Sequence, residues 1–213
     1  MAPPERSFDC APRAPLRMTD VEWHVPSAFR LLMSTSADSA ASPVHPGKVH
    51  HYYVRCSWQG STGVGYEQYG RNHQVNAPPA ERVLTMSSDP AFRGDPTQLN
   101  PEQLIVMAAS SCQLLAFLAV AARARLDVVG YEDRAEAEMP EDDLPMRITA
   151  IRLRPRILLT AGAGGSQATD ERVRALVELA HRECFIANSL RSEVTVDPEI
   201  EWVPAQGATA ASV

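Results

Sequence analysis

The chain has 213 residues, an apolar content of 45% and a formal net charge of −6. This length allows one sizeable domain with flanking segments, and the acidic balance argues against a nucleic-acid groove or an anionic membrane surface as the partner. No apolar run typical of an export signal lies near the N-terminus, and the four cysteines form no Cys-x-x-Cys pair. Reduced thiols in a cytoplasmic protein are therefore expected, and a disulfide framework or zinc ribbon is not.

The composition divides the chain into three parts. Residues 1–46 are rich in Pro, Ala and Ser and are expected to form a flexible or loosely docked extension. Residues 47–204 carry the periodic apolar patterns of a folded domain, whereas residues 205–213 are expected to form a frayed tail. The chemistry is therefore expected within 47–204.

The folded part begins with short predicted strands. Residues 48–58 alternate between apolar and polar side chains, and the apolar members, which include Cys56, are expected to face a core. A glycine-rich turn separates this strand from a predicted returning strand over 64–69. A third strand is predicted over 73–86, with a break at its two consecutive prolines. Together these pieces predict an antiparallel sheet.

A long apolar helix of about 20 to 25 residues is predicted next. Asn100 is a suitable N-cap, Pro101 fits the first helical position, and Glu102 lies in the first turn, where its charge suits the helix dipole. The helix is apolar almost all round, which predicts that protein encloses it on every side. Its polar residues and short apolar run argue against a membrane span. Cys112, in its middle, either packs as a small apolar group or does chemistry.

The remaining elements are strands and a second helix. Strands are predicted over 127–139, 146–159 and 192–203, and the alternating arginines of the second are expected to form a solvated face. A helix is predicted over 171–186, and its apolar stripe places Cys184 on the buried face. The order of elements predicts an α+β fold. An intertwined homodimer would bury the apolar first helix between two subunits.

Three motifs carry a family resemblance. Asn100-Pro-Glu-Gln-Leu104 is followed by Ala109-Ser-Ser-Cys112, and Ala180-His-Arg-Glu-Cys184 is followed closely by Asn188. The loop Asp89-Pro-Ala-Phe-Arg93-Gly-Asp-Pro96 precedes both. These motifs resemble the OsmC/Ohr family of thiol-dependent organic hydroperoxide reductases, over roughly residues 48–203. The resemblance implies an OsmC-like fold, with antiparallel sheets around two buried helices in an intertwined homodimer whose two active sites lie near the subunit interface.

The resemblance also implies site residues. Cys112 would attack the peroxide, Cys184 would resolve, and Glu102 would anchor an arginine beside the attacking thiolate. Arg93 occupies the matching loop position and is the first choice for that arginine. The first hairpin turn, where one branch of the family carries the arginine, has none here, so Arg55 and Arg71 are kept as alternatives.

These residue types suit peroxide chemistry. A guanidinium favours the thiolate and can stabilise charge on the leaving alkoxide, and an apolar wall that includes Leu115 and Phe117 would suit an alkyl hydroperoxide. Attack would leave a sulfenic acid on Cys112, which condenses with Cys184 to a disulfide. No cofactor is expected, and the resemblance implies an external dithiol reductant of the lipoyl type. The alternative is a non-catalytic, redox-sensing or ligand-binding dimer of the same fold.

Overall fold

The computed structural model describes residues 48–161 and 169–204, so the predicted extension 1–46 and the predicted tail 205–213 lie outside the described residues. The α-helices are α1, Pro101–Arg123, and α2, Asp170–Glu183. Short 3-10 helices cover Thr62–Val64, Pro90–Phe92 and Ala187–Ser189. The strands are β1 Arg55–Ser57, β2 His73–Asn76, β3 Val83–Met86, β4 Val128–Asp133, β5 Glu136–Glu138, β6 Ala150–Leu153, β7 Pro155–Thr160, β8 Glu193–Val196 and β9 Glu199–Val203. The predicted α+β class is confirmed.

Six of these strands form three consecutive pairs along the chain: β4 with β5, β6 with β7, and β8 with β9. Each pair is one long extended segment, which gives one strand to a sheet of order β4-β7-β9 and the other to a sheet of order β5-β6-β8. The segments therefore turn a corner together, and backbone hydrogen bonds continue there, as from the Asp197 N–H to the Leu153 carbonyl at 2.9 Å. Pro155 and Pro198 stand next to two of the corners, where a proline removes a ladder donor.

The sequence predicted the extended segments but not the corners. The single strands predicted over 146–159 and 192–203 are each divided between the two sheets. The antiparallel prediction holds for the β4–β7 and β5–β6 pairs, whereas β6 pairs with β8 and β7 with β9 in parallel. The parallel pairs arise because α2 carries the chain across before β8, so that the third segment runs in the direction of the second.

The N-terminal sheet has the order β1-β2-β3 and is antiparallel throughout. The strand predicted over 64–69 is wrong: a 3-10 turn and Gly65, whose φ of 93° suits glycine, occupy this stretch. The loop is fixed instead by Trp58, which donates from Nε1 to the Gly70 carbonyl at 2.7 Å. Cys56 is exposed on β1, contrary to the expectation that it faces a core, because within this chain the sheet leaves it uncovered.

The core lies along α1 in two buried clusters. One cluster joins the C-terminal half of α1 to α2 and the β4-β7-β9 sheet, and the other joins the N-terminal half to β6 and β8. The first contains Phe117, Val120, Ala121, Leu126, Ile157, Leu159, Val173, Val177 and Ala180. The second contains Ala109, Ile148, Ile151 and Leu153. α1 therefore packs against both of these sheets, and one of its faces is buried.

The opposite face of α1 is not covered within this chain. Its exposed apolar side chains are Ile105, Met107, Leu115 and Leu118. The prediction that protein encloses the helix on every side is therefore not met by one chain alone. By length and composition α1 could also cross a membrane, and 28% of its most apolar window is buried.

Candidate active site

The start of α1 is fixed by a reciprocal cap. The Asn100 side chain accepts the Gln103 N–H at 2.8 Å, and the Gln103 side chain accepts the Asn100 N–H at 3.0 Å. Asn100 also donates to Asp89 at 3.2 Å, which ties the preceding loop to the helix. The predicted N-cap and the Pro101 position are confirmed. This capping box sets the register of the helix and so places Cys112 at its midpoint.

The end of α2 is fixed around Cys184. The helix ends at Glu183, earlier than predicted, and Cys184 is its C-cap residue. The Asn188 side chain donates to the Arg182 and Cys184 carbonyls at 2.9 and 3.0 Å and so satisfies the free end of the helix. The backbone after Cys184 lies beside Cys112, since the Ile186 nitrogen is 3.5 Å from Cys112 Sγ.

The two sulfur atoms lie together. The Cys112 and Cys184 thiols are close enough to interact, and both are free. The Ile186 N–H points at Cys112 Sγ and the Ala187 N–H at Cys184 Sγ, each at 3.5 Å. Within the described chain, these N–H groups are the main-chain donors that reach the sulfur pair, and they come from adjacent residues of one turn.

The environments of the two thiols differ. Cys184 is 1% exposed, whereas Cys112 is partly exposed. Burial, with the contact to Cys112, raises the pKa of the Cys184 thiol from 9.0 to about 11, against the opposing effect of the Ala187 and Ile186 N–H groups. Burial also raises the pKa of Tyr131, with smaller contributions from Asp133 and Cys184. Cys184 is therefore a protonated thiol at neutral pH.

Cys112 opens into a groove of about 740 Å³, called here the thiol groove. Its walls are mainly apolar and include Leu115 and Phe185, which are 64% and 82% exposed. Phe117, predicted for the same wall, is instead fully buried and packs against Tyr131 with ring centroids 6.1 Å apart. One turn of an apolar helix thus divides its side chains between the core and the groove.

Arginines also border the thiol groove, and the sequence analysis missed them. Arg123 and Arg182 line it, and Arg123 pairs with Glu183 at 3.0 Å across the ends of the two helices. Arg182 precedes Cys184 by two residues in the last turn of α2, which is the only sequence signal that could have drawn attention to it. No cluster of three or more His, Cys, Asp or Glu side chains that could hold a metal ion occurs within 48–161 and 169–204.

Glu102 lies in a second groove of about 720 Å³ beside the first turns of α1, called here the carboxylate groove. Ten residues of helix separate Glu102 from Cys112, which is about 15 Å along the axis. One Glu102 oxygen is buried and has no hydrogen-bond partner among the described residues. Other acidic side chains border the groove: Asp89, Asp133, Glu136 and Glu138.

Two of the three predicted arginines, Arg93 and Arg71, are engaged elsewhere in this chain, and the third, Arg55, is exposed on β1. Arg93 ends the Pro90–Phe92 turn with φ 66° and forms an ion pair with Glu67. Arg71 stacks its guanidinium on Tyr66 and Tyr69 and donates to both of their carbonyls. The structure therefore brings Cys112 and Cys184 together but does not bring Glu102 or Arg93 into the same groove. Their shared role stays a prediction.

Comparison with known proteins identifies the fold. The family model described as OsmC-like protein matches residues 94–199, which include both cysteines. The chain belongs to the OsmC/Ohr family. An OsmC-like protein of unknown function from Vibrio cholerae is 27% identical, with a TM-score of 0.63 over 70% of this chain and 99% of that one. Among curated proteins, none matches.

Two more distant OsmC/Ohr structures share the fold. An organic hydroperoxide resistance protein from Elizabethkingia anophelis is 17% identical, with a TM-score of 0.54 over 73% of this chain and 99% of that one. The organic hydroperoxide resistance protein OsmC from Legionella pneumophila is also 17% identical, with a TM-score of 0.52 over the same shares of the two chains. At these identities the likeness is one of fold.

Proposed function

We propose that this OsmC/Ohr protein is a thiol-dependent peroxidase that reduces organic hydroperoxides to alcohols in defence against oxidative stress. The observation that carries the proposal is a free thiol, Cys112, that lines an apolar groove and lies beside a second free thiol, Cys184. A peroxidase of this type needs one thiol that meets the peroxide and a second within reach of the resulting sulfenic acid. The distant structural relatives named for organic hydroperoxide resistance support this choice.

The two cysteines take different roles. Cys112 borders the groove and attacks the terminal oxygen of the peroxide as a thiolate, with the Ile186 N–H as a donor to its sulfur. Cys184 is buried and protonated at neutral pH, so it is a poor first nucleophile. It then condenses with the Cys112 sulfenic acid, and water leaves as the Cys112–Cys184 disulfide forms.

An external dithiol would close the cycle by exchange with this disulfide. The thiol groove gives a route to Cys112 Sγ, and the exposed Phe185 at its wall offers an apolar contact for the carbon chain of the reductant. A lipoyl-type dithiol fits such a groove better than a highly polar thiol. No resident cofactor is needed for either half of the cycle.

A homodimer would complete the site. A second copy of the chain could cover the exposed apolar face of α1. Glu102 is about 15 Å along the helix axis from the Cys112 of its own chain. Glu102 and Arg93 can therefore serve Cys112 only if a second copy contributes them. In this chain Arg93 is held by Glu67, so such a role requires the Arg93 partner to change on assembly.

The test is turnover of cumene hydroperoxide by the full chain, with dihydrolipoamide and glutathione compared as reductants. Catalytic consumption with the dithiol is expected, and Cys112→Ser should reduce it by more than about 10³-fold, as expected for loss of a nucleophile. Cys56→Ala is the matched control, because it removes an exposed thiol that lies outside the thiol groove. Activity that persists in Cys112→Ser would refute the proposal.

The second candidate is a redox-sensing dimer without efficient turnover. The Arg93–Glu67 ion pair favours it, since that pair leaves the predicted activating arginine occupied. Non-reducing mass spectrometry after one equivalent of peroxide separates the two functions. One Cys112–Cys184 disulfide per chain that dithiols reduce only slowly indicates a sensor, whereas many cycles per chain indicate a peroxidase.

A further inference from the structure

We propose that Cys184 has a second role: its S–H is the acid that protonates the alkoxide released when Cys112 cleaves the peroxide O–O bond. The proposal rests on the proposed peroxidase function and adds to it the source of the proton. It also gives a reason for the order of events, because the buried thiol becomes a nucleophile only after it has given up its proton.

The geometry singles out Cys184 as the donor. Adjacent N–H groups of one turn point at its sulfur and at Cys112 Sγ, and Cys184 is 1% exposed, so its proton lies near the reacting atom and away from bulk water. The Ala187 N–H also points at Cys184 Sγ, at 3.5 Å, and is placed to stabilise the thiolate that remains after proton transfer. The turn after α2 therefore holds the Cys184 thiol as proton donor and also supplies an N–H group for the thiolate that remains.

The side chains that line the thiol groove are poorer acids than the Cys184 thiol behind Cys112. Arginines do not deprotonate in proteins, which excludes Arg123 and Arg182. The Asn188 amide is engaged with two carbonyls, and Glu183 is held in its ion pair with Arg123. Ser111 has a hydroxyl, which is a much weaker acid than a thiol. Even with its pKa raised to about 11, the Cys184 thiol remains a stronger acid than an alkyl alcohol.

Cys112 S⁻ attacks the terminal oxygen of ROOH, the O–O bond breaks, and Cys112 S–OH forms as RO⁻ leaves. RO⁻ takes the proton of Cys184 S–H, giving ROH and Cys184 S⁻. Cys184 S⁻ then attacks the sulfenic sulfur, the S–O bond breaks, and hydroxide leaves as the disulfide forms. The peroxide has gained two electrons, the two cysteines have lost two, and hydroxide takes one proton from solvent.

The test follows only the first step, oxidation of Cys112, and compares two oxidants that release different leaving groups. Pre-reduced full-length protein is mixed with cumene hydroperoxide or with peracetic acid, and the loss of reduced Cys112 is followed by rapid quench and mass spectrometry. Cumene hydroperoxide releases an alkoxide, which needs a proton, whereas peracetic acid releases acetate, which does not. Cys184→Ala should therefore slow oxidation of Cys112 by cumene hydroperoxide by about 10²-fold, the usual contribution of a general acid. Its oxidation by peracetic acid should be slowed far less.

Two further variants make the outcome specific. Cys184→Ser keeps a hydrogen-bond donor of weaker acidity and should fall between the wild type and Cys184→Ala with cumene hydroperoxide. Cys56→Ala should match the wild type with both oxidants. The proposal is overturned if Cys184→Ala slows both oxidants equally, which indicates a purely structural role, or slows neither. If wild-type Cys112 reacts with neither oxidant, the proposed peroxidase function itself fails, and this is a separate result.

Discussion

The two grooves beside α1 differ in how much of their chemistry one chain supplies. In the thiol groove, two sulfurs are close enough to interact, each has a backbone N–H donor, and the bordering Arg123 is paired. In the carboxylate groove, one Glu102 oxygen is buried without a partner and further acidic side chains surround it. An unpaired buried carboxylate oxygen is costly. Among the described residues, the thiols of the first groove have their donors, whereas one carboxylate oxygen in the second has no partner.

The two grooves therefore depend on different levels of structure. The thiol pair depends on local structure, namely the Asn100 cap and the turn after Cys184. The role that we propose for the Glu102 carboxylate depends on assembly. A variant in the first groove should alter chemistry even in an isolated chain, and a variant in the second should act only through the dimer that we propose.

The largest effect beyond loss of Cys112 is expected from Glu102→Gln. If Glu102 positions a cation at the Cys112 of a second copy, kcat/KM for cumene hydroperoxide should fall by about 10²-fold, the cost of a misplaced catalytic group. The free energy of unfolding of the single chain should not decrease, because the substitution removes the charge of a carboxylate that has one buried oxygen without a partner. Steady-state kinetics and urea unfolding measure the two quantities.

The control for Glu102→Gln is Glu136→Gln. Glu136 borders the same groove, but Arg154 already binds it at 2.7 Å. The control should leave kcat/KM near the wild-type value. Equal losses in both variants would mean that the negative potential of the groove matters and that Glu102 has no individual role.

A smaller effect on activity is expected from Leu115→Ala. Leu115 borders the thiol groove and is 64% exposed. Loss of its contact with an alkyl chain should reduce kcat/KM for cumene hydroperoxide by about tenfold, which corresponds to about 1.4 kcal/mol of apolar burial. Hydrogen peroxide, which has no alkyl group, should be unaffected, so an equal loss with both substrates would contradict an apolar substrate wall.

Phe117→Ala is the counterpart on the opposite face of α1. Phe117 is fully buried, and its truncation should cost about 3–5 kcal/mol of unfolding free energy. Leu115→Ala should cost far less within one chain. If dimerisation covers Leu115, its cost will instead rise with protein concentration, which urea unfolding at two concentrations detects.

The last prediction concerns the free energy of unfolding at alkaline pH. The pKa of Cys184 is raised in the folded protein from 9.0 to about 11, so its contribution to stability is complete below about pH 9. As the pH rises from about 9 to about 11, the unfolded thiol ionises first, so the free energy of unfolding decreases. Cys184→Ala should remove this part of the decrease. If the free energy of unfolding decreases equally with pH in the wild type and the variant, folding does not raise the pKa of Cys184.

The sequence predicted the helices that carry the two cysteines more closely than the sheets. The caps at Asn100 and the stripe that carries Cys184 are local patterns, and both are confirmed. The corners in the long strands were missed, because alternation in sequence records exposure along an extended segment but not which sheet each half joins. The parallel pairs were missed for a related reason: strand direction depends on the α2 crossover and not on any residue in the strand.

The arginine could not be chosen from the sequence. Arg93 and Glu102 are close in sequence, but the left-handed turn at Arg93 and its pair with Glu67 direct it elsewhere within the chain. Arg182, which does border the thiol groove, is an ordinary charge in the last turn of a helix when viewed in sequence alone. Long flexible side chains find their partners through tertiary structure, and sequence spacing constrains them weakly.

By itself, the sequence determined the two helices, the cap that sets the register of α1, the burial of Cys184 and the family motifs. These follow from local periodicity and capping, which act over a few residues. The tertiary structure decided that the turn after Cys184 presents adjacent N–H groups to both sulfurs, that Cys112 faces a groove while Cys184 stays buried, and that Glu102 lies a helix segment away. Contacts between residues some 70 positions apart arise only when the sheet and crossover bring the two helices together.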